Sequence, residues 1–240
     1  MQKIICKNYD EASRVAALLF AKEIEKKPDL VIGLATGSTP IGLYRELAKK
    51  NKTGEIDFSS VVSYNLDEYY PIKKDNEQSY RYFMFDNLFN HINIKEENVH
   101  IFDGECADPA VECAKYDAAI KQSGGIDVQL LGIGGNGHIA FNEPDEWMET
   151  ASHVVNIKPE TIKDNARFFN SIEDVPKTAM SLGLGGIFHA KKIIMIATGA
   201  NKAKVVKEML SGKISTSNPA TLLSLHPDVT VIIDEAANGE

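Results

Sequence analysis

Two short polar segments of the sequence carry side chains that could move protons. The first is Asn65-Leu-Asp-Glu-Tyr-Tyr70, with Asp67 as its central acid, and the second is Gly132-Ile-Gly-Gly-Asn-Gly-His-Ile-Ala-Phe-Asn-Glu-Pro144. The second segment places Asn136, His138 and Glu143 around a short apolar stretch, a pattern that few purely structural segments have. Carboxylates and histidines are common general acids and bases, with ordinary pKa values of roughly 3.9 and 6.5. The two segments therefore predict acid–base chemistry.

A third segment, Gly33-Leu-Ala-Thr-Gly-Ser-Thr-Pro40, has the composition of an anion-binding turn. It places glycines and hydroxyls between a predicted strand and a predicted helix, with Thr39 as the helix cap and Pro40 as the first helical residue. Free backbone N–H groups and the helix dipole attract an anion at such a junction. The spacing and the lysine of a Walker loop are missing, so a nucleotide is not implied. From this segment alone, a tight turn with a helix cap is an equally good interpretation.

The three segments follow predicted strands of one α/β fold. Apolar runs alternate with helical periodicity along most of the chain, as expected for strands joined by crossover helices in a mainly parallel sheet. The chain shows no repeat or linker, and we expect one domain over residues 1–240. The predicted strands are residues 4–6, 30–34, 61–65, 99–102, 128–133, 193–197 and 229–233. Ligands of such sheets bind at the loops that leave the carboxyl ends of the strands.

The composition narrows the class of protein and of partner. A net charge of -8, with scattered basic residues, argues against a nucleic-acid surface. No apolar run approaches the roughly 18 residues that span a membrane, and the N-terminus lacks the blocks of a secretion signal, so we expect a cytoplasmic protein. Cys6, Cys106 and Cys113 form neither a C-x-x-C pair nor a zinc pattern, and we interpret them as reduced structural thiols. The expected partner is a small molecule.

The segments G-L-A-T-G-S-T-P, N-L-D-E-Y and G-N-G-H-I-A-F-N-E-P, in this order, resemble the glucosamine-6-phosphate deaminase family over almost the whole chain. The stretch H-I-A-F-N-E-P is the most specific of them. The resemblance implies a Rossmann-like fold with helices on both faces of the sheet. It also implies the isomerisation and deamination of glucosamine 6-phosphate to fructose 6-phosphate and ammonia, without a metal or an organic cofactor.

The resemblance further implies roles for individual residues. The C2 proton acceptor of the family falls on Asp67, and its ring-opening group falls on His138, with Asn136 and Glu143 beside it. The positions that bind the sugar phosphate fall on Thr36, Gly37, Ser38, Thr39, Arg167 and Lys202. Where some members carry an aspartate beside the histidine, this chain has Asn136, which can orient His138 but cannot stabilise its protonated form by charge.

Three other functions compete with this interpretation. Gly132-x-Gly134-x-x-Gly137 matches a dinucleotide fingerprint, but the acid expected about 20 residues later is missing, so the match is interpreted as accidental. A 6-phosphogluconolactonase would share the glycine loop but not N-L-D-E-Y or F-N-E-P. A sugar-phosphate sensor of transcription would bring a helix-turn-helix segment, for which we find no residues.

The sequence also bears on regulation. Some bacterial members of the family are hexamers activated by N-acetylglucosamine 6-phosphate, which binds basic groups after F-N-E-P and in a C-terminal extension. Here Asp145, Glu146 and Glu149 make the corresponding stretch acidic. We therefore expect hyperbolic kinetics without such activation, from a monomer or a homo-oligomer. Residues 144–156, which include Trp147, are the candidate for a lid.

Overall fold

A computed structural model describes residues 1–166, 169 and 171–239 of the chain. This part contains ten β-strands and eight α-helices. The strands are β1 (Gln2–Cys6), β2 (Val31–Leu34), β3 (Val62–Asn65), β4 (Asp67–Tyr70), β5 (Val99–His100), β6 (Val128–Leu131), β7 (His153–Asn156), β8 (Thr178–Ser181), β9 (Lys192–Ala197) and β10 (Val229–Asp234). The helices are α1 (Tyr9–Lys26), α2 (Ile41–Lys52), α3 (Tyr80–Asn87), α4 (Pro109–Gln122), α5 (Pro159–Asn165), α6 (Leu184–Phe188), α7 (Ala203–Met209) and α8 (Glu235–Asn238).

The larger sheet has seven strands in the order β1-β10-β9-β6-β2-β3-β5, and all of its neighbours pair in parallel. From β2 the chain proceeds towards β5, whereas from β6 it proceeds in the opposite direction towards β10. Parallel crossovers are right-handed, so this reversal puts helices on both faces of the sheet. The predicted Rossmann-like α/β fold is confirmed.

The reversal also creates a binding crevice. The strands β2 and β6 are neighbours, but the loops that leave their carboxyl ends turn in opposite directions. Open α/β sheets bind ligands at such a switch point. The 35–40 loop follows β2, and the segment with Asn136, His138 and Glu143 follows β6. Two predicted segments therefore border one crevice because of the strand order.

A second, antiparallel sheet of three strands, in the order β4-β8-β7, was not predicted from the sequence. We expected Asp67 in a loop, but it is the first residue of β4 and pairs with Ser181 of β8. Each of the three strands has only four residues, and several of these are polar. Such segments lack the apolar run or the clear alternation that identifies a strand in a sequence.

The seven predicted strands all belong to the central sheet and match the observed bounds to within two residues. Two of them end two residues earlier than expected, because β5 ends at His100 and β6 ends at Leu131. The prediction for the start of α2 is wrong by one residue: the helix begins at Ile41, and Pro40 rather than Thr39 occupies the cap position. In the described part of the chain, no helix is long and apolar enough to cross a membrane.

Buried apolar side chains form two clusters. The larger one fills both faces of the central sheet, and its strands β2 and β6 are buried along their whole length. The smaller one lies beneath the second sheet and consists of Tyr69, Ile72, Phe141, Ile157 and Ala179. Tyr69 belongs to the segment that contains Asp67, and Phe141 belongs to the segment that contains His138. The small cluster therefore packs the two polar segments against each other.

Candidate active site

A cavity of about 640 Å³ opens at the carboxyl ends of β9, β6, β2 and β3. Its wall contains seven of the residues that the sequence predicted for the site: Thr36, Gly37, Ser38, Thr39, Asp67, His138 and Lys202. Asn136 and Glu143 contact His138 and stand behind the wall rather than in it. Arg167 lies outside the described residues. The structure thus brings the acid, the histidine and the anion-binding loop to one volume.

Asp67 is held between the two sheets. Leu66 donates its N–H to the carbonyl of Leu34 in β2 and accepts from Leu182 after β8, so the backbone before Asp67 is fixed on both sides. The Asp67 side chain is buried, and burial, with a further contribution from the charge of Glu68, raises its pKa to about 8. A carboxylate with a raised pKa is a stronger base than an exposed one. Asp67 therefore has the properties required to remove a proton from carbon.

Glu68 faces a different set of groups. Its carboxylate accepts hydrogen bonds from the backbone N–H of Tyr69 at 2.9 Å, of Tyr80 at 2.8 Å and of Arg81 at 2.9 Å. Burial raises its pKa to about 7, and the three N–H groups oppose that rise. Two of these donors belong to the first turn of α3, so Glu68 fixes the start of the helix that bears Tyr80. This contact of Glu68 with α3 was not predicted from the sequence.

The carboxylate of Glu143 lies behind the His138 ring and contacts three polar side chains. Burial would raise its pKa, but the contact with His138 and hydrogen bonds from Thr161 and Asn136 outweigh burial and lower its pKa to about 2. Asn136 donates to Oε2 of Glu143 at 2.6 Å, and Nδ1 of His138 lies 3.3 Å from the same oxygen. Within the described residues, Nδ1 has no well-aligned hydrogen bond, so the two groups are in polar contact without an ideal hydrogen-bond geometry. Glu143 thus remains a carboxylate beside the ring.

Asn136 orients the histidine through the backbone. Its side-chain oxygen accepts the N–H of His138 at 3.2 Å, while its amide group donates to Glu143. The side chain therefore holds the His138 backbone and Glu143 at the same time. The positioning role of Asn136 stays a prediction.

The turn after His138 is strained and firmly anchored. Ala140 has a φ of 51°, in the left-handed region that a residue with a side chain seldom occupies. Asn142 donates its side-chain amide to the carbonyls of Ile139 at 3.0 Å and Leu182 at 2.9 Å, and Phe141 donates its N–H to the hydroxyl of Ser181. These bonds to and beside β8 keep the turn in its strained form, a feature often found at functional sites.

Gly134 is one glycine of the apparent dinucleotide fingerprint that has a steric reason in this fold. A Cβ atom at this position would lie 2.3 to 2.4 Å from three atoms of the His138 ring. Only glycine leaves room for the imidazole here, so Gly134 serves the packing of His138.

The 35–40 loop presents free donors to the cavity. In the described part of the chain, no group accepts the backbone N–H of Thr36, Gly37, Ser38 or Thr39, and their hydroxyls have no side-chain or backbone partner. The loop leads directly into the first turn of α2, whose dipole favours an anion. The predicted anion site therefore has the expected donors, although its helix starts one residue later.

The loop after β9 contributes Lys202. Asp234 at the end of β10 accepts the N–H of Gly199 with both oxygens, at 3.0 and 3.1 Å, and accepts the N–H of Ala237 at 2.8 Å. This carboxylate therefore fixes the backbone between β9 and the cavity wall, where Thr198, Asn201 and Lys202 lie. Asp234 was not predicted from the sequence, because only its partners in other elements distinguish it from a surface acid.

Aromatic rings form a wall that the sequence analysis missed. The ring centroids of Tyr69 and Tyr80 are 4.7 Å apart, and Tyr80 is stacked on Phe141 with centroids 6.2 Å apart. All three residues line the cavity, and Asn165 donates to the Tyr69 hydroxyl at 2.9 Å. Tyr69 and Phe141 lie close to Asp67 and His138 in the sequence, whereas Tyr80 is distant from both and gave no such signal. The rings give the cavity an aromatic surface beside Asp67.

The candidate lid has ordered anchors at both ends. Lys158 donates its ammonium to the carbonyl of Pro144 and lies 3.9 Å from Asp145, while Thr150 accepts the N–H of Gly185. Its last four residues form β7, and Trp147 between the anchors is 82% exposed. The positive charge of Lys158 lies close to this stretch, so the stretch is less acidic in the folded protein than its own sequence indicates. Hyperbolic kinetics without activation stays a prediction.

Comparison with known proteins relates the whole chain to one family. The family model described as glucosamine-6-phosphate isomerases/6-phosphogluconolactonase matches residues 8–232. The chain is 56% identical to a glucosamine-6-phosphate deaminase of Thermoanaerobacter pseudethanolicus and 54% identical to one of Clostridium perfringens. Each match extends over 237 residues, which is 99% of this chain and 94% and 98% of those two proteins.

Solved structures give the same relationship in space. A monomeric glucosamine-6-phosphate deaminase matches the fold with a TM-score of 0.97 at 42% sequence identity, covering 100% of this chain and 99% of that one. A 6-phosphogluconolactonase from Leishmania guyanensis matches with a TM-score of 0.76 at 22% identity, covering 99% and 97% of the two chains. At that identity the second match demonstrates a shared fold alone.

Proposed function

The chain belongs to the family of glucosamine-6-phosphate isomerases and 6-phosphogluconolactonases, and from this premise we propose that it converts glucosamine 6-phosphate and water into fructose 6-phosphate and ammonia. One observation carries the proposal. A buried carboxylate with a raised pKa, Asp67, lines the same cavity as His138 and a loop with four free backbone donors. An amino-sugar phosphate requires all three: a base for carbon, an acid–base group for the ring, and an anion site.

In this proposal the phosphate is bound first. The phosphate oxygens accept hydrogen bonds from the backbone N–H groups and hydroxyls of the 35–40 loop and from the ammonium of Lys202. They also lie at the start of α2, whose dipole attracts an anion. Binding at this end orients the sugar ring between Asp67 and His138. Arg167 remains a proposed phosphate ligand from the resemblance.

His138 then opens the ring. Glu143 is ionised and lies next to Nδ1, so it favours a proton on that nitrogen and leaves Nε2 as the base. The histidine removes the proton from the C1 hydroxyl and delivers one to the ring oxygen, and the bond between C1 and the ring oxygen breaks. The carboxylate of Glu143 stabilises the imidazolium that exists between these two transfers.

Asp67 completes the isomerisation. It takes the proton from C2 of the open aldose, and a proton is returned to C1, which gives a 2-imino sugar. The amino group of the substrate is cationic, so its approach stabilises the carboxylate form of Asp67. Water adds to C2 of the imino sugar, the resulting carbinolamine expels ammonia, and fructose 6-phosphate remains.

Ammonia release from glucosamine 6-phosphate tests the function directly. We expect stoichiometric ammonia and fructose 6-phosphate, and no hydrolysis of 6-phosphogluconolactone at a comparable rate. Lactone hydrolysis without ammonia release would instead assign the chain to the lactonase branch of the family. Tight binding of the amino sugar phosphate without turnover would support a sensor.

The phosphate site is tested by replacing Lys202 with alanine. The loss of a charge-assisted contact costs about 1.5–3 kcal/mol, so we expect the KM for glucosamine 6-phosphate to rise by roughly 10- to 100-fold. Weak binding of unphosphorylated glucosamine, measured by competition, should change little. An equal loss for both sugars would show that Lys202 does not bind phosphate. Lys204→Ala on the following helix is the matched control.

A further inference from the structure

The hydroxyl of Tyr9 joins the beginnings of two helices at the edge of the cavity. Tyr9 is the first residue of α1, is half-buried and lines the cavity. Its hydroxyl donates to the carbonyl oxygen of Ser38 at 3.2 Å and accepts the backbone N–H of Gly42 at 2.7 Å. A single side chain from α1 therefore bonds both the 35–40 loop and the first turn of α2.

This bond replaces a cap that α2 lacks. The residue at the cap position is Pro40, whose side chain cannot accept a hydrogen bond, and Gly42 carries one of the first-turn N–H groups that have no partner within the helix. The Tyr9 hydroxyl supplies the missing acceptor from another helix. A capping bond of this type stabilises a helix start.

Gly42 makes the contact sterically possible. A Cβ atom at this position would lie 2.2 Å from Oγ of Ser13 and 3.0 Å from a ring carbon of Tyr9. Only a residue without a side chain lets α1 approach the first turn of α2 so closely. The contact between α1 and α2 thus depends on both Gly42 and Tyr9.

The other end of the loop is held in a similar way. Tyr44, which is fully buried in α2, donates its hydroxyl to the carbonyl oxygen of Ala35. The two carbonyls that accept from the tyrosines are those of Ala35 and Ser38, and the backbone N–H groups of residues 36–38 between them have no acceptor in the described part of the chain. The two hydroxyls therefore engage carbonyl oxygens on both sides of these amides and leave the amides available.

We propose that Tyr9 is a positioning residue for phosphate binding, which holds the Ser38 carbonyl away from the anion and keeps the loop amides in a binding arrangement. The inference rests on the proposed function of the 35–40 loop. A carbonyl oxygen repels a phosphate oxygen, whereas a carbonyl engaged by a hydroxyl is not free to rotate towards it. Tyr9 does not act on the reacting atoms, so its effect falls on affinity.

The test replaces Tyr9 with phenylalanine, which removes the hydroxyl and retains the ring. One hydrogen bond corresponds to a change of about three- to tenfold, so we expect the KM for glucosamine 6-phosphate to rise by that factor while kcat changes by less. The dissociation constant of inorganic phosphate, measured by isothermal titration calorimetry, should rise by the same factor. Tyr82→Phe, at an exposed tyrosine of α3, is the matched control and should leave both quantities unchanged.

The two readouts separate this inference from the function on which it rests. If the wild-type protein released no ammonia, the proposed activity would fail, but calorimetry with phosphate would still test Tyr9. An unchanged affinity for phosphate in Tyr9→Phe would overturn the inference even in an active deaminase. A fall in kcat larger than the rise in KM would also overturn it, because the residue would then act through the general integrity of the site.

Discussion

Replacing Asp67 with asparagine is expected to lower kcat by about 10²- to 10⁴-fold, the usual effect of losing one positioned acid–base group. Asparagine has the same shape and fits the same buried position, but it cannot take the C2 proton. Binding depends on the 35–40 loop and Lys202, so the affinity for glucosamine 6-phosphate should remain. The direct measurement is the exchange of the C2 hydrogen with deuterium in heavy water, together with ammonia release.

The control for this variant is Asp29→Asn, at an exposed aspartate outside the cavity. It should leave both rates unchanged. Turnover of Asp67→Asn close to the wild-type value would remove Asp67 from the mechanism. A loss of binding equal to the loss of turnover would identify a structural role.

The stability of Asp67→Asn relative to wild type should increase as the pH rises. The pKa of Asp67 is about 8 in the folded protein and roughly 3.9 in an unfolded chain, so between these values the folded state holds the extra proton. Stability therefore falls with rising pH in this window, by up to about 1.4 kcal/mol per pH unit for this group. Asparagine removes that slope. The stability of the variant relative to wild type should increase from pH 5 to pH 7.5.

Urea unfolding of both proteins at the two pH values measures this difference. Glu68, whose pKa is about 7, is present in both proteins, and its contribution differs between them only through its charge interaction with Asp67. A stability difference that does not depend on pH would contradict the raised pKa of Asp67. The expected result describes a catalytic carboxyl group that costs stability at the pH at which it works.

Replacing His138 with glutamine is expected to lower kcat for the closed sugar by about 10²-fold or more. Glutamine keeps a polar side chain beside Glu143 but cannot carry a proton from the C1 hydroxyl to the ring oxygen. A substrate analogue held in the open-chain form does not require that step, so the defect should shrink with it. Stopped-flow comparison of the two substrates measures the difference.

The control for His138→Gln is His91→Gln, at an exposed histidine outside the cavity. It should not affect either substrate. An equal loss on the closed and open forms would show that His138 supports the site without opening the ring. Retained full activity on the closed form would exclude it from the proposed mechanism.

The sequence predicted the structure well for the strands that are buried on both faces of the central sheet. The strands β2, β6 and β10 are buried along their whole length because helices cover both faces of the sheet, and their mainly apolar sequences are visible without a structure. Loops that leave the carboxyl ends of parallel strands lie at one edge of the sheet, so Asp67, His138 and the 35–40 loop could be expected at one site. The resemblance added the roles that spacing alone does not give.

The sequence was less informative where geometry depends on contacts between distant segments. The strand β4 is recognisable only from its pairing with β8, and the cap of α2 comes from Tyr9, 32 residues before the helix begins. Glu68 and Asp234 act through backbone N–H groups of other elements. Their residue types are ordinary, and only their partners distinguish them from surface acids.

The second sheet ties the two proton-transferring groups into one cooperative unit. Asp67 pairs with Ser181, and the hydroxyl of Ser181 accepts the N–H of Phe141 in the turn after His138. A fluctuation that displaces β8 would therefore loosen both groups together. In native-state hydrogen exchange, the amides of Tyr69 and Phe141 are expected to respond together to denaturant.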